Sequence, residues 1–397
     1  MTETTQVLEL PTFKGRAGWE FTDLGRLDLT AFSPVEGGDL AAQPPALFEL
    51  DGATRLDQVD GAVSDGVTVE DGPVVLPLSV ARERHPELVE PHLGRVVAAD
   101  DVFTTWNEGS WDGGAFVWVP RGVRVEAPIL LTAVTGTDGT ALQRRVLIVL
   151  EAGAEAEVWE QYLSGSDESE TLLNTVVELV VGENAHLRYV CGQDLNERSW
   201  IFGAQRAEVA RDGSLDWVVI GFGGGNGRVR TETLLAGEGA SGKVTGAYAP
   251  HARQHVDFDT TQEHGAPHTT SDLAFRGILS DRSQAVWRGM IKVDPGAQQT
   301  DAFQECRNLL LSKRAHADAI PGLEILANDV RCTHAAAIAQ IDKDQLFYLR
   351  SRGLDTAVST RLVIEGFMQE LVERFEEGPI REALSGALER RLSKVLD

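Results

Sequence analysis

The chain has 397 residues, with 36 basic against 61 acidic side chains, a formal charge of -25, 42% apolar residues and 24% charged ones. That balance fits a well-packed globular protein and excludes a disordered one, while the acid excess and the lack of clustered Lys and Arg argue against binding nucleic acid or anionic lipid. No apolar run approaches the roughly 18 residues that cross a bilayer, and the stretch from Met1 to Leu10 lacks the basic and apolar regions of a signal peptide, so a cytoplasmic protein is expected.

Residues 1–95 carry prolines at 11, 34, 44, 45, 73, 77, 86 and 91, and only short candidate helices such as Ser79 to Glu90; an irregular, partly helical N-terminal region is expected there. Over residues 96–341 the texture changes to short runs rich in Val, Leu, Ile, Trp and Tyr between Gly, Asp, Asn and Ser turns. Arg145 to Leu150, Glu155 to Tyr162, Thr175 to Val181, His186 to Val190, Leu215 to Ile220 and Arg228 to Leu235 read as strands.

A weak repeat runs through this region. Its turns are Glu151 to Ala154, Gly182 to Ala185, Arg211 to Ser214, Gly237 to Ala240 and, less clearly, Ser280 to Ser283. Recurrence at 20 to 50 residues points to stacked coils. A β-solenoid accounts together for the short strands, the missing crossover helices and the absence of proline between Pro128 and Pro250; a β-sandwich would also give many short strands.

Over residues 342–397 the period returns to 3.6. Asp342 with Gln345 makes a capping-box-like start for Leu346 to Arg352, ended by Gly353. Asp355 caps a longer helix to about Glu376, with Ile364, Phe367, Met368, Leu371, Val372 and Phe375 on one face. After Gly378-Pro379, Ile380, Leu384, Leu388, Leu392 and Val395 mark a final amphipathic helix. These helices are expected to cap the open end of the β stack, to dock a partner, or both.

Two glycine-rich stretches imitate nucleotide loops. In Gly237-Glu-Gly-Ala-Ser-Gly-Lys243-Val244 a valine stands where a P-loop needs Ser or Thr, and Gly221 to Gly227 puts Asn226 at the third glycine of a dinucleotide fingerprint. Neither is expected to bind nucleotide. His251, His255, His264 and His268 lie within one short segment; positions four apart on a strand share a face and could meet at a metal, although Gly265 and Pro267 imply a bend and polar turn structure is the plainer alternative. Three cysteines, Cys191, Cys306 and Cys332, are odd in number and far apart, which favours reduced thiols over a disulfide framework.

The most suggestive pair is Cys332 and His334. Two residues apart on a strand, they project to one face roughly 7 Å apart, a pairing that serves as nucleophile and base or as ligands to a soft metal such as iron. Two ligands cannot close a four-ligand site, so the rest must come from elsewhere in the chain or from another subunit. A buried, inert cysteine beside a hydrogen-bonded histidine is the alternative.

A family resemblance rests on longer stretches. These are Gln254 to Ser271, Arg276-Gly-Ile-Leu279, Asp294 to Gln304, Arg307 to Ser312, Ile320 to Ile325, Asp329 to His334 and Leu346 to Gly353. Upstream, Asp112 to Gly122 and Ala127-Pro-Ile129 fit as well. Together, over about 95 to 375, they resemble the SufB/SufD family of iron-sulfur cluster assembly proteins, and the SufD-like branch in particular: Ala335 follows His334 where SufB-like chains typically carry Glu. Where SufD-like chains often read Cys-Ser-His-Gly-Ala-Thr, this one reads Cys332-Thr-His-Ala-Ala-Ala337.

The resemblance implies a right-handed parallel β-helix with helical ends, a mainly β fold, in a complex with a SufB-like paralogue and a SufC-like ABC ATPase. It implies that the β-helix edge at Cys332 and His334 meets the paralogue, that the nascent cluster forms there, and that the C-terminal helices, with the Arg350 to Gly353 turn, contact the ATPase. The expectation is a non-catalytic scaffold that contacts iron or a transient iron-sulfur cluster through Cys332 and His334. A β-helix enzyme acting on polysaccharide is the rival of another class, and a homodimeric storage or adaptor form a third reading.

Overall fold

The computed structural model describes residues 9–11, 18–111, 113–375 and 377–396; residues 1–8, Asp112 and Glu376, all covered by the expectations above, lie outside them. The N-terminal region supplies strands β1 (Ser33–Pro34), β2 (Thr54–Val59), β3 (Ala62–Val63), β4 (Val67–Thr68) and β5 (Val74–Pro77), then helices α1 (Leu78–Arg84) and α2 (Pro86–Val89), and helix α3 (Val102–Ser110) opens the region after it. Sixteen strands follow: β6 (Gly114–Val119), β7 (Ile129–Thr135), β8 (Thr140–Leu150), β9 (Glu155–Ser164), β10 (Thr171–Val181), β11 (His186–Asp194), β12 (Trp200–Val209), β13 (Ser214–Gly221), β14 (Asn226–Leu235), β15 (Ser241–Tyr248), β16 (His255–His264), β17 (Thr270–Leu279), β18 (Gln284–Val293), β19 (Asp301–Leu310), β20 (His316–Ile325) and β21 (Arg331–Gln340). Helices α4 (Lys343–Ser351), α5 (Thr356–Val372) and α6 (Pro379–Leu396) end the chain.

From β6 to β20 the even-numbered strands stack into one parallel wall, and from β7 to β21 the odd-numbered strands stack into another. Each coil adds one strand to each wall, which makes a parallel β-solenoid. Inward residues of both walls form one continuous core, from Val117 and Leu131 near the start through Tyr189, Trp217 and Tyr248 to Phe275 and Trp287.

The repeat in the sequence is the corner between the walls. Gly153, Asn184, Asp212, Gly239, His268 and Gln299 all take left-handed backbone conformations, with φ between 51° and 75°. They stack in a column, each amide donating to a carbonyl of the next corner: Gly153 to Glu183, Asn184 to Arg211, Asp212 to Glu238, Gly239 to Pro267, His268 to Gln298 and Gln299 to Asp329, at 2.6–3.2 Å. Ser280 to Ser283 belongs to the opposite corner, between β17 and β18. The true fifth turn is the bend that Gly265 and Pro267 imply, and it does not show as a repeat because Pro267 and His268 stand where the first four turns carry Ala, Glu or Arg and then Gly, Asn or Asp. Gly223 and Gly225 in the opposite corner are required by close approach: a Cβ on either would lie about 2 Å from the Leu195 or Glu197 backbone. The glycine-rich stretch at 221–227 is therefore a stacking corner.

Three expectations need correction. The Ser79 to Glu90 helix is two helices parted at His85, because Pro86 starts a turn but cannot donate into a continuing helix. The proline-rich N-terminal region also holds real strands: β2 joins β7 in parallel and β5 joins β6 antiparallel, so the solenoid's first coil is closed by its own chain. Finally, α5 and α6 do not seal the far end of the stack. They lie along its flank, on outward residues of the odd wall such as Val190, Val218, Ile220, Ala247 and Ile278, since that is where the apolar outer surface is.

Charged contacts fix the helices there. Arg391, buried on α6, donates to the Ala249 carbonyl at 2.7 Å and to Gln254 at 2.8 Å. Arg276 on β17 reaches Glu305 on β19 at 2.7 Å and Glu370 on α5 at 3.3 Å. Ile364 on α5 is fully buried in the helix-wall core. Ile364→Ala is expected to cost about 2–4 kcal/mol. In a quasi-one-dimensional stack the loss should stay local, so limited proteolysis should release α4–α6 before the strand signal in circular dichroism is lost.

Candidate functional site

The final coil, β20 and β21, has a neighbour on one side only. Its inward residues are therefore uncovered: Leu323, Ile325 and Ile338 are 38%, 39% and 46% exposed, and the outer backbone edges of β20 and β21 have no strand beside them among the described residues.

Cys332 and His334 sit on β21. Register pairs Cys332 with Ala302 and His334 with Gln304, and those two with Ser271 and Leu273 below. The column His334, Gln304, Leu273, Val244, Trp217 runs straight down the solenoid core, so both side chains stand on the inward face, at its open end. Cys332 is half-buried against a small cluster that includes Ile291, Val293, Ala297 and Ala302, while His334 is exposed. Burial, aided by the Asp301 carboxylate, pushes the Cys332 thiol above its ordinary value, so it is protonated at neutral pH and must lose a proton to bind metal. Among the described residues, no group of three or more His, Cys, Asp or Glu is arranged to hold a metal ion.

The other two cysteines are lumenal. Burial lifts Cys191 to about 12 and Cys306 to about 11. Cys306 is near the Tyr248 hydroxyl and the Asn308 amide, at 3.5 and 3.4 Å, and its register partner on β21 is Ala336.

The four clustered histidines do not meet. His251 lies in a corner between Gln254, Glu197 and Arg391, with Nε2 2.9 Å from Glu197. His255 starts β16, and burial lowers its pKa. His264 is inward and fully buried, Nδ1 bonded to Thr269 at 2.8 Å and Nε2 to Ser271 at 2.9 Å. His268 is the left-handed residue of its corner. The P-loop imitation is another corner plus the start of β15, where Lys243 donates to the Arg374 carbonyl at 2.6 Å and lies over Phe375, tying the wall to the chain after α5. Sequence reading missed Asp301, which bears on the Cys332 thiol from the neighbouring strand and shows itself only through register.

Residues 132–367 match the family model described as SUF system FeS cluster assembly, SufBD core domain. The iron-sulfur cluster assembly protein SufD of Bacillus subtilis is 29% identical over 386 residues, which is 94% of this chain and 88% of that protein. An iron-sulfur cluster assembly SufBD family protein of Staphylococcus saprophyticus is 27% identical over 290 residues, 73% of this chain and 62% of that protein.

Two measurements check the site chemistry. A thiol-reactive probe should modify one cysteine in the native chain, Cys332, and all three after denaturation. The native rate should climb about tenfold per pH unit between 7 and 9, because the thiolate is the reactive form; labelling that survives Cys332→Ser would contradict this. His264 gives the second. Burial lowers its pKa from 6.5 to about 4, so the unfolded chain takes up this proton first on acidification. The stability it confers is complete above pH 6.5 and is lost as pH falls toward 4, on the order of 3 kcal/mol. Urea unfolding at pH 7 and pH 4.5 should show that loss, and His264→Gln should reduce it.

Proposed function

The chain belongs to the SufB/SufD family of iron-sulfur cluster assembly proteins, and from that premise we propose that it is a non-catalytic, cytoplasmic scaffold subunit. It pairs with a SufB-like paralogue and works with a SufC-like ABC ATPase to build a nascent cluster and pass it on. The cluster is its cargo, and this chain binds no nucleotide itself.

The observation that carries the reading is the incomplete ligand pair at an open end. Cys332 and His334 share the inward face of the last coil, and the strand edges around them are unpaired. A soft thiolate and an imidazole suit iron, but four ligands close such a site. A second solenoid meeting these edges would cover the exposed Leu323, Ile325 and Ile338 and supply the missing donors. Cluster binding here releases the Cys332 proton, so retention should strengthen as pH rises toward the thiol's raised pKa.

The helical flank is the surface offered to the ATPase. Phe347 and Tyr348 on α4 are 74% and 57% exposed, and Val358 and Leu362 on α5 are 43% and 44% exposed. A mechanical link joins this flank to the site, because Arg276 ties α5 to the two odd-wall strands directly beneath β21. Along this reading the three units of the chain are an N-terminal region (1–95), the β-helix core (96–341) and the C-terminal helical domain (342–397).

The test is anaerobic reconstitution with the SufB-like and SufC-like partners. Cys332→Ala and His334→Ala should each lower iron and sulfide retention, and transfer to an acceptor protein, by at least the roughly tenfold that losing even an outer-shell partner costs. Unchanged retention and transfer in both variants would remove the pair from the mechanism.

A further inference from the structure

One polar side chain of the core lies directly beneath the donor pair. Gln304 on β19 is the register partner of His334 on β21 and is 0% exposed. The residues that follow it down the same inward column are Leu273, Val244 and Trp217, so the polar exception falls under the imidazole. Gln304 Nε2 donates to two carbonyls of the facing wall, Gly322 on β20 at 3.0 Å and Gly289 on β18 at 3.4 Å. These contacts fix the amide, since the atom between two carbonyl oxygens must be its nitrogen. The other amide atom, Oε1, is buried and has no hydrogen-bond partner among the described residues. On the last two coils, β18 to β21, it is the one buried side-chain acceptor in that state; Trp287 Nε1, also unpartnered there, can only donate.

An unsatisfied buried acceptor is rare in a native protein and calls for a donor. Trp287 is near, because a Cβ on Gly289 would lie 2.3 Å from its ring and 2.6 Å from Gln304 Oε1, yet the two groups do not bond. The imidazole one coil above is the other donor in reach. Register partners on adjacent strands are about 4.8 Å apart with side chains on one face, a gap that an imidazole N–H leaning toward an amide oxygen closes to about 2.9 Å. A histidine that binds metal through one ring nitrogen keeps its proton on the other, and that N–H almost always has an acceptor, which fixes the tautomer and the ring and makes the ligand more basic.

We propose that Gln304 is a positioning residue for His334, its Oε1 accepting the N–H of the ring nitrogen that does not face iron. The inference rests on the proposed role of Cys332 and His334 as donors to the cargo and adds a third residue to that site. Gln304 touches neither iron nor sulfide. Its nitrogen is anchored on β18 and β20, its backbone is in β19, and its oxygen serves β21, so one amide ties the orientation of the imidazole to both walls of the last two coils.

The test is pulsed electron resonance on the reduced cluster in the complex reconstituted anaerobically with the SufB-like and SufC-like partners. The quadrupole coupling of the remote imidazole nitrogen shrinks when its proton is hydrogen-bonded. Gln304→Met and Gln304→Leu, which fill the slot without an acceptor oxygen, should each raise that coupling and lower iron retention about tenfold, the loss expected of an outer-shell partner. Gln304→Glu keeps an oxygen at the same reach and should restore both. Circular dichroism and the Cys332 labelling rate, matched to the parent, identify the variants whose last coil is intact, and either apolar variant suffices. A coupling unchanged in the apolar variants, or moved equally in Gln304→Glu, overturns the proposal while leaving His334 as a ligand. A parent complex with no imidazole nitrogen signal overturns the donor role of His334 and this inference with it.

Discussion

The parallel ladder between successive coils is the constraint on which everything else depends. A strand in this solenoid satisfies its backbone and half its side-chain packing only through the coils above and below, so every position inherits its environment from register partners about 4.8 Å away. An interior coil is complete by construction and an end coil is not. At one end the chain finishes the job itself, folding β2 and β5 back onto the first coil. At the other end the ladder simply stops at β20 and β21.

This arrangement sorts chemistry by coil. Three thiols lie on inward-facing positions of the odd wall, and their chemistry follows from how many coils lie above them. Cys191 and Cys306 are buried by later coils, with their pKa lifted to about 12 and about 11. Cys332, with nothing above it, is only half-buried. His334 beside it is exposed, although its column is fully buried one strand down, at Gln304. An inward position that would be core anywhere else becomes, on the last coil, an open face.

Much of this was legible in the residues. Strand identity, the absence of crossover helices, the three C-terminal helices and the shared face of Cys332 and His334 all follow from local period and turn chemistry, which short-range physics sets. What escaped reading depended on long-range pairing. β5 is only four residues long and bounded by Pro73 and Pro77, β2 sets Arg55, Asp57 and Gln58 among its apolar residues, and both exist because the first coil offers them an edge. The corner at His268 shows in the sequence only as a bend at Gly265 and Pro267, because stacking on Gly239 and Gln299, rather than its own turn chemistry, holds its left-handed backbone. The flank position of α5 and α6 could not be read from the helices alone, whose apolar faces say that something is covered but not what. The outward Val218, Ile220 and Ile278 of the wall answer that question, and only the register shows that these point outward.

The end and the flank are therefore distinct surfaces with distinct physics. The flank is closed by apolar packing and by arginines that cap carbonyls and carboxylates, Arg391 at Ala249 and Arg276 at Glu370, which makes it a finished joint with exposed aromatic residues beyond it on α4. The end is an unfinished ladder, with β20 and β21 each paired on one side only among the described residues. Arg276 joins Glu305 on β19, one strand below the strand of Cys332 and His334, to Glu370 on α5, so the helices are tied by charge to the strand beneath the open end. The proposed scaffold role draws on that combination: an incomplete pair of donors at an open end, and a second surface tied to the strand beneath it by charge.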